Sequence, residues 1–384
     1  MKICILTTGF PTPKEPGKYA FLDQLACTWA EMGNEVNVIY PIPILVELFD
    51  KNRFYRSRWI RTTLGGSSIT VFCPRYFSMS DKTVLGVNTR IISYKSFQRA
   101  IIRTLSDLKN KPDVLYGHFL PSGCQAGDIG RKLSIHSFCA FGESSLWSLD
   151  GCNTDDVRRR LAKLSGIVSV STENKRILVE NDLYREEDIE VFPNGVDHSL
   201  FYPRDKQEMR KKYGFPADAF IGAFTGSFSD DKGVLRAQEA AVKAGNVPMI
   251  YIGSGTCKPE GSNILFSGKL QHEKIPEYLS AADFFILPTK AEGCCNAIIE
   301  AMACGLPIIS SKGAYNDDIL SDTYAIRTDP TDVTAMAKAI KALYEDPKRR
   351  SRMSESAREA SMRFDISKRA AAIIGFMRRK SMKG

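Results

Sequence analysis

The sequence predicts two α/β domains, each built on a parallel sheet and facing a shared cleft, and three observations carry that prediction. Short apolar runs alternate with amphipathic stretches through both halves of the chain, as strands and crossover helices do in parallel sheets. Pro193-Asn194-Gly195 breaks the alternation, and a polar, charged run from Asp197 to Lys212 follows it, which marks a domain connection. The 384 residues suffice for two cores. The expected domains are residues 1–195 and 196–363, followed by an amphipathic helix over 364–384.

The elements follow in order. Lys2–Leu6 is an apolar strand. Thr7–Lys18 contains Gly9, Pro11, Pro13, Pro16 and Gly17 and reads as an irregular loop. Phe21, Leu22, Leu25, Trp29 and Met32 share one helical face, Gly33 stops the helix, and Val36–Tyr40 is the next strand. This is a β-α-β unit with a long first loop, at the end of the sheet where ligands bind in open α/β folds. Residues 41–100 read as an excursion from the sheet. Strands follow at 113–117, 137–141, 167–170 and 189–192, with a helix at 99–108 and another at about 122–132. In the second half, strands are expected at 220–224, 249–252, 264–266, 284–287 and 307–310. Helices are expected at about 233–244, 275–281, 294–304, 331–345, 348–362 and 366–379.

Composition narrows the function. The formal net charge is +9, and residues 51–100 carry all of that excess, with ten basic side chains against Asp81. A uniformly basic nucleic-acid coat is disfavoured and one local basic face is favoured. Within that window Arg53, Arg56, Arg58 and Arg61 interleave with Phe54, Tyr55 and Trp59, chemistry that suits an anionic membrane surface. The competing reading is a solvated basic loop. No segment reaches the roughly 18–20 apolar residues that span a bilayer. The ten cysteines form no Cys-x-x-Cys pair and there are four histidines, so neither a zinc site nor a disulfide framework is suggested. Asp230-Asp231 and Asn316-Asp317-Asp318 read as loop and cap residues rather than metal ligands.

The most informative stretch runs from Phe284 to Ser310: strand, tight loop, helix, Gly305 stop, strand. Glu292 and Glu300 are eight residues apart, about 12 Å if the segment is helical. Gly293 permits close backbone approach, and a helix N-terminus near 294–297 offers N–H groups to an anion. A carboxylate at each end of an anion-binding helix suits a nucleotide-sugar, one for sugar hydroxyls and one for ribose hydroxyls.

The phrase Glu-Gly-x-x-Asn-x-x-x-Glu-Ala-Met-Ala-x-Gly-x-Pro, from Glu292 to Pro307, resembles the Glu-x7-Glu signature of retaining glycosyltransferases of family GT4. That resemblance implies the GT-B fold: two Rossmann-like domains facing a central cleft, the N-terminal one binding the acceptor, the C-terminal one the nucleotide-sugar, and a last helix returning to the N-domain. It makes Glu292 the donor-sugar contact and Glu300 the ribose contact, with the backbone of Gly293, Cys294, Cys295 and Asn296 near the diphosphate. Thr225–Gly233 resembles the family's diphosphate loop, in which Gly226 and Ser227 approach the donor and Lys232 neutralises its phosphates. Here Ser227 stands where the family usually has Arg, and Arg236 one turn on is read either as a substitute phosphate cation or, by preference, as a solvated helix residue. Ser267–Leu270 resembles the turn whose backbone, at Leu270, lies near the base. Phe192–Phe201 resembles the segment that opens the C-terminal domain, or is a plain turn with Gly195 at positive φ.

In the N-domain the resemblance places Gly17 and Lys18 of the first loop, and Phe141, Gly142, Glu143 and Ser144 of a later one, at the acceptor side of the cleft. Phe141 occupies a position where the family commonly has His. His118 is expected in the cleft with a catalytic role beside Glu292 and Lys232. The resemblance implies transfer of a hexose-type sugar to a hydroxyl of a glycan or lipid-linked glycan, as in bacterial cell-surface polysaccharide assembly. It implies no metal or other cofactor and no nucleic acid, in the cytoplasm or peripherally on the inner face of the membrane. Ser227 and Phe141 motivate a second reading, a protein that binds nucleotide-sugar or glycan without transfer. An epimerase or phosphorylase of the same fold is opposed by the Glu-x7-Glu phrase. A dehydrogenase ranks low because no Gly-x-Gly-x-x-Gly follows the first strand.

Overall fold

The computed structural model describes residues 1–12, 17, 19–45, 56–79, 83–84, 87–146, 149 and 152–382. The chain divides into two compact units. The first holds Met1–Val170, Asn174–Phe192 and Ala370–Gly384; the second holds Ser171–Glu173 and Pro193–Arg369.

The first unit is built on an eight-stranded sheet. Its strands are β1 (Lys2–Leu6), β2 (Glu35–Ile39), β3 (Arg58–Thr62), β4 (Ser68–Phe72), β5 (Val114–His118), β6 (His136–Phe141), β7 (Gly166–Ser169) and β8 (Ile189–Val191). The spatial order is β8-β7-β6-β5-β1-β2-β4-β3. Every pair is parallel except β3 with β4. β3 and β4 correct the expected excursion over 41–100: part of the basic window returns to the sheet as an edge hairpin. β1 has β2 on one side and β5 on the other, so the strand order reverses there, and loops from the ends of β1 and β5 surround a switch point.

Two apolar layers cover this sheet because its strands bury both faces. One layer joins Ile3, Ile5, Val36, Val38, Tyr116 and Phe138 to Trp29 of helix α1 (Ala20–Glu31). The other joins Cys4, Leu6, Leu115, Cys139 and Phe141 to Cys124 and Ile129 of helix α2 (Leu120–Leu133). The chain's last helix, Ile366–Ser381, seals the first layer with Ala370, Ile373, Ile374, Phe376 and Met377. The Trp29 indole N–H donates to the Ala370 carbonyl at 3.1 Å, and the Phe376 ring lies 5.9 Å from that of Phe138. The expected return of the last helix to the N-terminal unit is thus seen from Ala370 onward.

The second unit carries a six-stranded, all-parallel sheet: β9 (Gly222–Thr225), β10 (Met249–Ile252), β11 (Ile264–Gly268), β12 (Phe284–Leu287), β13 (Ile308–Ser311) and β14 (Ala325–Thr328), in the order β11-β10-β9-β12-β13-β14. The switch point falls between β9 and β12. Helix α3 (Val234–Lys243) follows β9, and helix α4 (Asn296–Ala303) follows β12. Helix α4 starts two residues later than expected, so Glu292 sits in the preceding loop. The 12 Å helical spacing to Glu300 therefore does not apply.

Candidate functional site

In the second unit, the loops leaving β9 and β12 flank the switch point and hold the expected donor residues. Lys232 Nζ pairs with the Glu292 carboxylate across 60 residues of sequence. Both side chains are largely covered, at 27% and 12% exposure. Burial acts to lower the Lys232 pKa, but the charge and hydrogen bond of Glu292, with smaller contributions from Cys295 and Asp231, together outweigh it and the net shift is upward, so the ammonium is retained at neutral pH. A buried, unpaired charge would be costly, and each group here neutralises the other.

Both loops are held by ties that run through backbone carbonyls. Arg236 donates to the carbonyls of Asp230 (2.8 Å), Pro288 (3.1 Å) and Pro330 (2.7 Å), and to the Asp230 carboxylate at 2.6 Å. It is 14% exposed, a clamp between the two loops and neither a solvated helix residue nor a phosphate cation in reserve. Asp230 also accepts from Lys290 Nζ at 2.5 Å, and the Lys290 N–H donates to the Asp231 carbonyl at 2.8 Å. Ser310 donates to Leu287, and Ser311 and Tyr315 both donate to Thr289, fixing the start of the Glu292 loop. Gly233 adopts φ +73°, and a Cβ there would lie 2.5 Å from the Pro288 carbonyl, so only glycine serves at this crossing. The Phe228 N–H donates to the Ser254 carbonyl at 2.8 Å, which ties the Lys232 loop to the segment after β10.

The Pro193-Asn194-Gly195 segment belongs to the same construction. The Asn194 N–H donates to Cys294 Sγ at 3.3 Å, and its side-chain amide donates to the Cys294 carbonyl at 3.0 Å. Gly195 is not at positive φ, which corrects the plain-turn expectation; a Cβ on it would lie 2.8 Å from Ile366 Cα. Burial pushes the Cys294 thiol up to about 12 and Cys295 well above its usual value, so both are neutral packing groups at pH 7. The Asn296 side-chain oxygen and the Thr225 hydroxyl are buried with no hydrogen-bond partner, two polar atoms left over beside the switch point. Gly293 is buried, Ser227 is exposed with its hydroxyl 3.2 Å from that of Ser229, and Leu270 is half-buried after β11. Sequence reasoning missed His272: its Nε2 lies 3.0 Å from Glu300 Oε1.

The first unit gathers different chemistry at its own switch point. His118 ends β5 and is buried; its ring centroid lies 4.3 Å from Phe119, 5.3 Å from Phe21 and 5.9 Å from Tyr19. Tyr19 and Phe119 hold φ of 54° and 69°, conformations that bulky residues rarely adopt. Gly142 adjoins this cluster, with Phe119 within 3.8 Å of a Cβ built on it. Glu143 is buried and its carbonyl accepts from Asn174 at 2.8 Å, while Ser144 and Gly17 are exposed. Phe141 is fully buried on β6 in the core layer, where it packs the sheet. Lys18 and Arg53 lie outside the described residues. Of the basic window, Arg56 is exposed, Arg58 sits over the Phe72 ring, and Arg61 pairs with Asp23 at 3.0 Å. Trp59 packs on the core. Period-two alternation puts Arg58 and Arg61 on opposite faces of β3. Among the described residues no three His, Cys, Asp or Glu side chains group as metal ligands would, and no helix is long and apolar enough to cross a membrane.

Residues 205–360 match the family model described as glycosyl transferases group 1. The second unit therefore carries a group 1 glycosyltransferase domain, in agreement with the sequence resemblance, and the two-sheet architecture is GT-B. Among curated proteins, the chain is 24% identical over 355 residues to TuaC of Bacillus subtilis strain 168, covering 88% of each; that name provisionally assigns a glycosyltransferase to teichuronic acid biosynthesis. It is 23% identical to a D-inositol 3-phosphate glycosyltransferase of Acidothermus cellulolyticus, over 74% of this chain and 71% of that one. Among solved structures it superposes on sucrose-phosphate synthase from Thermosynechococcus elongatus with a TM-score of 0.75 at 16% identity, covering 100% of both chains. It also superposes on Anabaena HepE, solved with UDP, with a TM-score of 0.73 at 17% identity, covering 99% of this chain and 100% of that one.

Proposed function

We propose that this protein moves a hexose-type sugar from a nucleotide-diphosphate sugar to a hydroxyl of a glycan or lipid-linked glycan, with retention at the anomeric carbon. The observation that carries the reading is the Lys232–Glu292 pair between the β9 and β12 loops of a group 1 domain. One cation for a diphosphate and one carboxylate for sugar hydroxyls stand in contact, fixed by Arg236, with two orphaned polar atoms beside them. HepE, which shares the fold, was solved with UDP and with UDP-glucose, which supports a nucleotide-sugar donor. The name of TuaC supports a cell-surface polysaccharide as the destination.

Lys232 neutralises the departing diphosphate, helped by the backbone of Gly226 and of Gly293–Asn296, while Ser227 offers a hydroxyl in place of a second charge. Glu292 orients the donor sugar and Glu300 the ribose. The bond from the anomeric carbon to the diphosphate oxygen breaks, the acceptor oxygen bonds to that carbon on the same face, and the acceptor proton passes to the departing phosphate. No enzyme carboxylate attacks the sugar, unlike in retaining hydrolases. His118, Gly142, Glu143 and Ser144 belong to the unit proposed to hold the acceptor, where positioning makes the main contribution. With Lys232 as the counter-charge, the proposed reaction uses no metal ion. It takes place in the cytoplasm, at the inner face of the membrane.

The test is a thermal-shift screen of nucleotides and nucleotide-sugars, then mass and NMR analysis of products from the donor that binds, with and without EDTA. A new α-linked product from an α-linked donor, formed equally with EDTA, is expected. Donor binding with no transfer to any acceptor extract would establish the binding-only reading instead; an inverted product would remove retention.

A further inference from the structure

The donor site contains a side-chain pair of which the proposed transfer assigns a role to Glu300 alone. Glu300 projects from α4, 14% exposed, and His272 opens a short 3-10 turn, His272–Lys274, just after the Ser267–Leu270 segment. The two residues are 28 positions apart, and the imidazole Nε2 meets Glu300 Oε1 at 3.0 Å. The imidazole also packs against the Phe201 ring, 5.1 Å between centroids and tilted by 59°. His272 therefore touches one aromatic ring and one carboxylate, at 27% exposure.

We propose that His272 is the positioning residue for Glu300: it orients and charge-balances that carboxylate so that the second oxygen meets the ribose diol of a bound nucleoside diphosphate. This rests on the donor-site reading above. The ionisable groups that raise the imidazole pKa most are Glu300 from α4, Glu273 on its own turn, and Asp197 from the segment entering the unit. Lys274, next on the turn, is engaged with Glu277 at 3.0 Å, and Cys304, four residues beyond Glu300, is a buried neutral thiol. Burial pulls the His272 pKa down, and the Glu300 hydrogen bond and charge outweigh it, so the net shift is above the ordinary histidine value.

The consequence follows from charge. A nucleoside diphosphate is an anion, and a half-buried carboxylate beside it repels it unless neutralised. With imidazolium present the pair is neutral. As pH rises through the His272 pKa the hydrogen bond survives in the Nε2–H tautomer but the site gains one negative charge. Nucleotide binding therefore weakens on the alkaline side.

The test is calorimetric titration of the full chain with uridine, guanosine and adenosine diphosphates, and with the 2′,3′-dideoxy form of the one that binds best, from pH 6 to pH 9. In the wild type the dideoxy form binds at least about tenfold more weakly, as expected when a polar partner is lost from a site built to bond it. His272→Ala is expected to erase most of that discrimination. His272→Gln keeps a donor at the Nε2 position without a titrating group, so it preserves discrimination while flattening the pH profile. The ligand phosphate titrates identically against every variant, so differences between profiles report the imidazole. An unaltered melting temperature separates loss of positioning from loss of fold. Unchanged ribose discrimination in His272→Ala, with the wild type binding normally, overturns this proposal alone. A wild type that binds none of the three diphosphates overturns the donor-site reading and this proposal together.

Discussion

The two units present the same feature, a switch point at the carboxyl ends of a parallel sheet, and fill it with opposite chemistry. In the second unit the loops and helix starts that follow β9, β11 and β12 carry paired charges: Lys232 with Glu292, His272 with Glu300, Arg236 and Lys290 with Asp230. In the first unit the end of β5 and the start of α1 carry rings: Tyr19, Phe21, His118 and Phe119. Topology fixes where a site forms, and side-chain chemistry decides what it holds. Compensated charge suits a diphosphate and polar diols. Aromatic faces with backbone strain suit a ligand gripped by shape, with the sheet beneath holding the strained residues in place.

The largest effects expected from breaking this contrast lie in the charged site. Glu292→Gln should reduce transfer at least about a hundredfold, because donor-sugar orientation is lost. The same change leaves Lys232 without its carboxylate partner, so a bare nucleoside diphosphate should bind as well or up to about tenfold more tightly, about 1.4 kcal/mol. Lys232→Ala should weaken both: a charged hydrogen bond of about 2–3 kcal/mol corresponds to roughly 30–150-fold in kcat/KM. Steady-state kinetics beside calorimetry would check the signs. Parallel losses of binding and transfer in Glu292→Gln would mean the pair is structural.

The aromatic site should respond in stability first. Phe119 lies at φ 69° and ψ 160°, a region that glycine enters freely and other residues do not. Replacing Phe119 by Ala removes the ring and keeps the strain; replacing it by Gly removes both. Phe119→Gly should therefore be about 1 kcal/mol more stable than Phe119→Ala in denaturant unfolding, the reverse of the usual order. Ala more stable than Gly would show that the strain is not real.

The same contrast explains what the sequence revealed. The second unit's central strands include short apolar runs such as Met249–Ile252 and Phe284–Leu287, and much of its site sits in the one phrase from Glu292 to Pro307, so both were legible. β14 was missed because Ala325–Thr328 is four residues long and includes Arg327. β3 was missed because an edge strand needs only one covered face, and Arg58, Ile60, Arg61 and Thr62 are exposed. The aromatic cluster joins positions near 20 to positions near 118, and His272 meets Glu300 from another loop. No local pattern encodes either contact. Gly233 was legible only as the end of the Thr225–Gly233 segment; the reason glycine is needed there, the nearby Pro288 carbonyl, is tertiary.

The smallest expected effect concerns the basic window, and the structure divides its arginines. Arg61 is already paired with Asp23, and Arg58 projects from the opposite face of β3 beside exposed Ile60. If this edge meets an anionic bilayer, each unpaired arginine contributes about 1 kcal/mol at low salt. Neutralising Arg56 and Arg58 should therefore lower retention on phosphatidylserine vesicles several-fold, while Arg61→Gln should have a smaller effect, because its charge is largely spent on Asp23. Sedimentation with vesicles at 50 and 300 mM salt measures this, since screening should abolish the difference at the higher concentration. Equal losses from all three positions would mean that the hairpin contributes only net charge. No loss from any of them would remove the membrane-facing assignment and leave β3 as a capped edge, whose charges serve to prevent pairing with a second sheet.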